Sequence, residues 1–293
     1  MKLKILLLAA VFLLTLLSGC SEAQPAQVAA TTLPVYHFTS LLCQGTDISV
    51  TRLVTESVSC LHDYSLNVSQ VQAVESARIV ILSGAGLEGF MDDLLKNANS
   101  VIDSSEGIDL LTCEGEHDHN HGGHVHDHEA DSHIWLSPAN AKIMASNICD
   151  GLCAEFPGQA ETIRNNLKEL HRKLDELQTY GNQQLANLTC RDLLTFHDGF
   201  SYFAHAFNLN IVEAIEEESG SEASAQELIH LIEVVEHHHL SAIFTEINGS
   251  VSAADVISRE TGAVSFALDM AMGGNDYFAA MYHNINTIQE ALG

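Results

Sequence analysis

The chain has 293 residues, enough for two domains, and its 46% hydrophobic against 17% charged residues supply real cores and exclude a mainly disordered protein. Twelve Lys and Arg against 39 Asp and Glu leave a formal charge of −27, which excludes a nucleic-acid binder, repels anionic substrates and draws cations. Seventeen His is the unusual number, and seven Cys exceed what a reduced cytosolic protein of this size needs.

Residues 1–19 read as a signal peptide: basic residues at Lys2 and Lys4, then an apolar run over 5–17, too short to span a bilayer. The run enters Leu17-Ser18-Gly19-Cys20, which resembles the bacterial lipobox, so Cys20 is the expected lipidation site and first mature residue. Residues 20–27 form a polar linker. The mature protein is expected to be soluble but lipid-anchored on the outer face of the cytoplasmic membrane, where disulfides persist. Of the remaining Cys, Cys43 and Cys60 flank one short strand and are the favoured pair. Buried free thiols are the alternative for the others.

From residue 28 onward, β-branched runs alternate with helical patterns. Strands are expected at 28–33, 48–53, 79–82 and 101–102, with helices over 68–75 and 87–97 and another after Ser137-Pro138. Together, residues 28–156 make an N-terminal α/β lobe with a mostly parallel sheet. Residues 157–188 read as a connecting helix. Ile163, Leu167, Leu170, Leu174, Leu177, Leu185 and Leu188 form an apolar stripe, and 160–188 would extend about 40 Å. Residues 189–293 repeat the alternation, with strands at 192–196, 209–214, 241–245 and 263–267 and helices at 223–238, 253–261 and 277–291. The fold class is therefore α/β: two lobes with mostly parallel sheets joined by a long rigid helix. Clefts between such lobes are preferred ligand sites.

Four residues stand at or just after strand ends or at a helix mouth. His62 lies in Cys60-Leu61-His62-Asp63-Tyr64, His133 in Asp131-Ser132-His133-Ile134-Trp135, His197 in Phe196-His197-Asp198 and Asp269 in Ala267-Leu268-Asp269. In open α/β sheets that edge faces the ligand crevice. Three imidazoles and one carboxylate suit tetrahedral Zn²⁺, whereas Mn²⁺ wants more oxygen. Spacing alone leaves open that each is an ordinary surface or core residue.

These phrases, with Thr195–Phe203, Phe244–Glu246 and the terminal stretch containing Asp276, Tyr277 and Asn284, resemble the zinc/manganese (cluster A-I) substrate-binding receptors of bacterial ABC importers. The resemblance runs from the lipobox to the C-terminus. It implies two α/β lobes bridged by a rigid helix, and it maps the family's metal ligands onto His62, His133, His197 and Asp269. Manganese members commonly carry a carboxylate where this chain has His197, so zinc is the implied cargo, and ABC permease and ATPase subunits are the implied partners of a monomeric receptor. The chain departs from the family at Asp131-Ser132, where Pro is usual before the second His, and at Cys60-Leu61.

The segment 114–132 holds His117, His119, His121, His124, His126 and His128 among acidic residues, with no Lys, Arg or aromatic. It is expected to be a loop that samples metal, as zinc members of the family often carry one before the second ligand. His237, His238 and His239 read as a polar helix end, and His37 lies near the expected cleft.

A manganese receptor of the same family, a surface zinc store or adhesin, and a zinc hydrolase are the alternatives. The hydrolase needs an open coordination position and a general base. No His-Glu-x-x-His occurs, and Asp269 would fill the fourth position. No enzymatic activity is expected.

Overall fold

The computed structural model describes residues 27–56, 61, 64–111, 130–215 and 223–293. The expected signal peptide, Cys20, His62, Cys60, Cys113 and the six loop histidines His117 to His128 lie outside these residues.

The first lobe runs β1 (Val28–Ala30), α1 (Leu33–Leu42), β2 (Val50–Arg52), α2 (Val68–Ser76), β3 (Ile79–Leu82), α3 (Asp92–Leu95), β4 (Val101–Asp103) and α4 (Pro138–Glu155). Its strands are all parallel in the order β2-β1-β3-β4. Every residue of β1 and β3 is buried, as a parallel strand covered on both faces requires. The first strand is shorter than the expected 28–33, because Leu33-Pro34 opens a helix with Thr32 at its N-cap. The expected helix over 87–97 also breaks up. A 3₁₀ turn at Gly89–Met91 precedes a single α-turn, consistent with a glycine inside the stretch. Asn67 and Gln70 form a reciprocal capping box that starts α2.

Helix α5 (Ala160–Gln184) follows a 3₁₀ turn at Pro157–Gln159 and links the lobes over about 37 Å. It stops short of the expected residue 188: Leu185 caps it, and Thr189 N bonds instead to Leu292 O. The second lobe runs β5 (Asp192–Thr195), α6 (Ser201–Phe207), β6 (Asn210–Ala214), α7 (Ala225–His238), β7 (Ala242–Glu246), α8 (Ser252–Thr261), β8 (Val264–Leu268) and α9 (Tyr277–Leu292). Its order is β6-β5-β7-β8, again all parallel.

The buried face of α5 presents Ile163, Leu170, Leu174, Leu177 and Gly181. It packs on α1 and α4 of the first lobe and on α6 and α9 of the second. One apolar cluster therefore runs without interruption from Val28 and Phe38 through Trp135 to Phe200, Phe244 and Tyr277. Cys43, Cys149, Cys153 and Cys190 are free thiols, so Cys43, buried at the end of α1, does not form the expected pair with Cys60, which lies outside the described residues. Burial pushes the Cys43 thiol up to about 12, which keeps it unreactive.

At the carboxyl edge of the first sheet Glu88 is buried. Its Oε1 accepts from Thr31 Oγ1 (2.6 Å) and Ser83 N (2.7 Å), and its Oε2 from Gly84 N (3.0 Å). Burial outweighs these donors and raises the carboxyl from 4.5 to about 7. The folded state thus holds this proton more tightly than the unfolded chain. The stability it confers is complete below pH 4.5 and is lost as the pH rises through about 7. Glu88→Gln should therefore gain on the wild type by about 1–3 kcal/mol between pH 5 and pH 8 in urea unfolding. An equal difference at both pH values would show that the carboxyl is not perturbed.

Gly181 gives a second expectation. A Cβ there would lie 2.1 Å from Phe207 Cε1, a buried ring of the second lobe. Gly181→Ala should destabilise by about 1–3 kcal/mol, although Ala is the better helix former. Stabilisation in urea would mean that the ring moves freely.

Candidate metal centre

Strands β5, β7 and β8 are neighbours, and their carboxyl ends deliver His197, Glu246 and Asp269 to one edge of the second sheet. Glu246 and Asp269 line the same small pocket. From the first lobe, His133 enters at the N-cap of a 3₁₀ turn, Ile134–Leu136, that leads into α4. Ile134, Trp135 and Leu136 are fully buried, so the turn is fixed by its own side chains.

His133 Nε2 and His197 Nε2 face each other at 3.3 Å, with their ring planes nearly perpendicular at 89°. Both side chains are mostly buried, 12% and 14% exposed. Each Nδ1 lies against a buried carboxylate: His133 on Asp131 Oδ1 at 2.8 Å, His197 on Glu246 Oε1 at 3.2 Å. A carboxylate can only accept, so it holds the ring proton on Nδ1, and in the neutral ring Nε2 is then the acceptor. With both rings in that neutral tautomer, the facing lone pairs repel unless a cation lies near both.

Asp131 is held in turn. Its Oδ1 also accepts from His133 N (2.9 Å), while Oδ2 is buried and has no hydrogen-bond partner among the described residues. Tyr202 of the second lobe accepts from Leu111 N (2.9 Å) and donates to Asp131 O (3.1 Å). Asp131 N donates to Leu111 O at 2.9 Å. The two stems of the histidine-rich segment are thus tied together one residue pair before His133.

Asp269 is fixed through its backbone. Asn284, wholly buried on α9, accepts from Asp269 N and donates to Asp269 O, both at 2.7 Å. Asp269 Oδ1 accepts from Ala271 N at 2.8 Å.

Of the four residues expected from sequence, His133 and His197 come together, and Asp269 shares the sheet edge with His197. His62 lies outside the described residues. Among the described residues no three His, Cys, Asp or Glu side chains form a ready metal-ion cluster. Asp131 and Glu246 escaped the sequence reading as partners of the histidines. Their signal was present, since Asp131 stands two positions before His133 and Glu246 ends a strand. His37 sits at the seam between lobes. Burial lowers its pKa, and its neutral Nδ1 accepts from Tyr277 N at 2.9 Å. His171 and His283 bond to backbone carbonyls, and His237, His238 and His239 are exposed at the end of α7.

Gly199 makes room for this arrangement. A Cβ there would meet His197 Cδ2 at 2.6 Å, His197 Nε2 at 2.9 Å and Met270 Cε at 2.6 Å. Gly199→Ala should turn the His197 ring away and weaken divalent transition-metal binding by about 10–100-fold. A chelator-competition titration matching wild type would exclude His197 from the site.

Comparisons with known proteins agree with this architecture. A crystal structure of ZnuA, 29% identical, superposes with a TM-score of 0.78 over 92% of this chain and 100% of that one. A zinc-bound ZnuA deletion mutant, 28% identical, gives 0.77 over 92% and 98%. The zinc-binding lipoprotein AdcA of Streptococcus pneumoniae (strain ATCC BAA-255 / R6) is 28% identical over 98% of this chain. The chain spans only 60% of that relative's length. The family model described as "ZnuA: Zinc-uptake complex component A periplasmic" matches residues 28–291. The chain therefore belongs to the ZnuA family, whose members are non-catalytic transport proteins and periplasmic or cell-surface lipoproteins.

Proposed function

We propose that this chain captures Zn²⁺ between its lobes through His62, His133, His197 and Asp269 and delivers it to the permease of an ABC importer, with ATPase subunits driving uptake. Cys20 would carry the lipid anchor. The observation that carries this reading is the pair of facing Nε2 atoms at 3.3 Å, each ring held from behind by a carboxylate. Two nitrogens on a tetrahedral zinc with Zn–N near 2.0–2.1 Å lie about 3.3–3.4 Å apart. The pair is spaced for one shared cation.

Imidazole at 197 favours zinc over manganese, because Mn²⁺ prefers oxygen donors. Zinc is bound in one of the solved ZnuA structures. The formal charge of −27 favours any cation, so selectivity falls to the donor set. His117, His119, His121, His124, His126 and His128 are assigned an auxiliary role, weaker metal sampling next to His133.

The test is thermal. A ligand that binds only the folded state adds about 4 kcal/mol at a thousandfold excess over Kd. Zinc should raise the melting temperature by many degrees, and both His62→Ala and Asp269→Ala should cut that rise, although they belong to different lobes. If either variant keeps the full zinc-induced rise at neutral pH, the four-ligand site between the lobes is wrong.

A further inference from the structure

The segment after β8 leaves its own lobe at Asp269 and is held along its length by the other lobe. Three alternate carbonyls point across the seam. Trp135 Nε1 donates to Met270 O at 2.8 Å, Arg52 Nη2 to Met272 O at 2.5 Å and Arg52 Nη1 to Gly274 O at 2.7 Å. The path requires unusual backbone. Ala271 has φ 56°, left-handed for a residue with a Cβ, and Gly274 has φ 67°. A strained conformation of this kind persists only where its surroundings hold it.

Arg52 is the last residue of β2, half-buried, and its third nitrogen is also used. Nε donates to Val54 O at 2.5 Å. Val54 opens the connection from β2 to α2, the connection in which His62 lies. One guanidinium thus joins two arms, the end of β2 with Val54 and the segment after Asp269, across 222 positions from Arg52 to Gly274. Its fork is planar and its donor directions are fixed, so it sets the separation of the arms as well as joining them.

We infer that Arg52 is a positioning residue for metal capture: it holds the segment after Asp269 against the first lobe, so that Asp269 and the ligands of the first lobe can reach one ion. This rests on the four-ligand reading above. Lysine cannot replace it, because one ammonium on a flexible stem does not reproduce three donations in fixed directions.

The experiment uses the full chain with Zn²⁺ and, as a spectroscopic probe, Co²⁺. Five proteins are compared: wild type, Arg52→Gln, Arg52→Lys, Asp269→Ala and the Arg52→Gln/Asp269→Ala double variant. Binding is read at a temperature where the metal-free variants remain folded by circular dichroism. Arg52→Gln should weaken Zn²⁺ by about tenfold or more, the usual scale for residues that orient a ligand. The visible Co²⁺ band should lose the intensity of a four-coordinate site. Arg52→Lys should behave like Arg52→Gln, and it serves in its place if the glutamine variant does not fold. In the Asp269→Ala background the Arg52 substitution should change affinity by about twofold at most, since its effect passes through Asp269.

A fall in metal-free melting temperature with unchanged Zn²⁺ affinity and Co²⁺ spectrum would overturn the inference and leave Arg52 as a structural staple. So would a full tenfold loss that persists in the Asp269→Ala background. If Asp269→Ala itself binds both metals as wild type does, the four-ligand reading falls and this inference with it. An impaired Asp269→Ala beside an unaffected Arg52→Gln overturns the inference alone.

Discussion

Everything in this molecule depends on the two lobes sharing one dry core. Trp135 and Tyr277 come from opposite lobes and neither is exposed to solvent. A buried indole N–H needs an acceptor, and its acceptor is Met270 O across the seam. Tyr277 Oη returns the bond, donating to Trp135 O at 2.8 Å, while its ring packs edge-on against Phe38. Burial pushes the Tyr277 phenol far above its ordinary range, so it remains a donor at any working pH. Parting the lobes here would strand two hydrogen bonds in an apolar environment. With α5 packed on both lobes as well, the geometry between His133 and His197 is set by rigid parts rather than by loops.

That rigidity explains why much of the fold was legible in the sequence. The alternation of apolar strands and amphipathic helices marked every strand of both sheets to within a few residues. The stripe through Ile163, Leu170, Leu174 and Leu177 marked the long helix. Where the sequence misled, a local rule had been passed over. Leu33-Pro34 is a helix start, and Gly89 interrupts what looked like one continuous helix. The end of α5 at Gln184 has no strong sequence stop, because Leu188 extends the stripe and still packs against the core as a half-buried side chain.

The site was legible only in part, for a physical reason. Strand ends can be placed from periodicity, so His197 and Asp269 were findable. What the sequence does not reveal is which carboxylate stands behind which imidazole, because that depends on tertiary approach. Glu246 meets His197 only because β5 and β7 are neighbours in the sheet. Asp131 meets His133 through a local turn, and this contact could have been anticipated. An acidic residue two positions before a histidine can accept both its backbone N–H and its ring N–H.

The charge balance of this edge gives the arrangement its direction. Asp131 and Glu246 are both largely buried carboxylates, and Asp269 lies at the same sheet edge as Glu246. The two imidazoles facing them keep a proton on Nδ1 toward those carboxylates and turn Nε2 toward each other. Buried anions are costly unless a nearby positive charge compensates them. On the proposed reading, a divalent cation shared by the two Nε2 atoms would supply that compensation and remove any lone-pair repulsion between them in one step. The same edge offers nothing to an anion and little to a monovalent ion, which meets the charge only halfway. The carboxylates behind the histidines therefore do more than orient rings: they make a doubly charged, nitrogen-seeking ion the species that best completes the cleft.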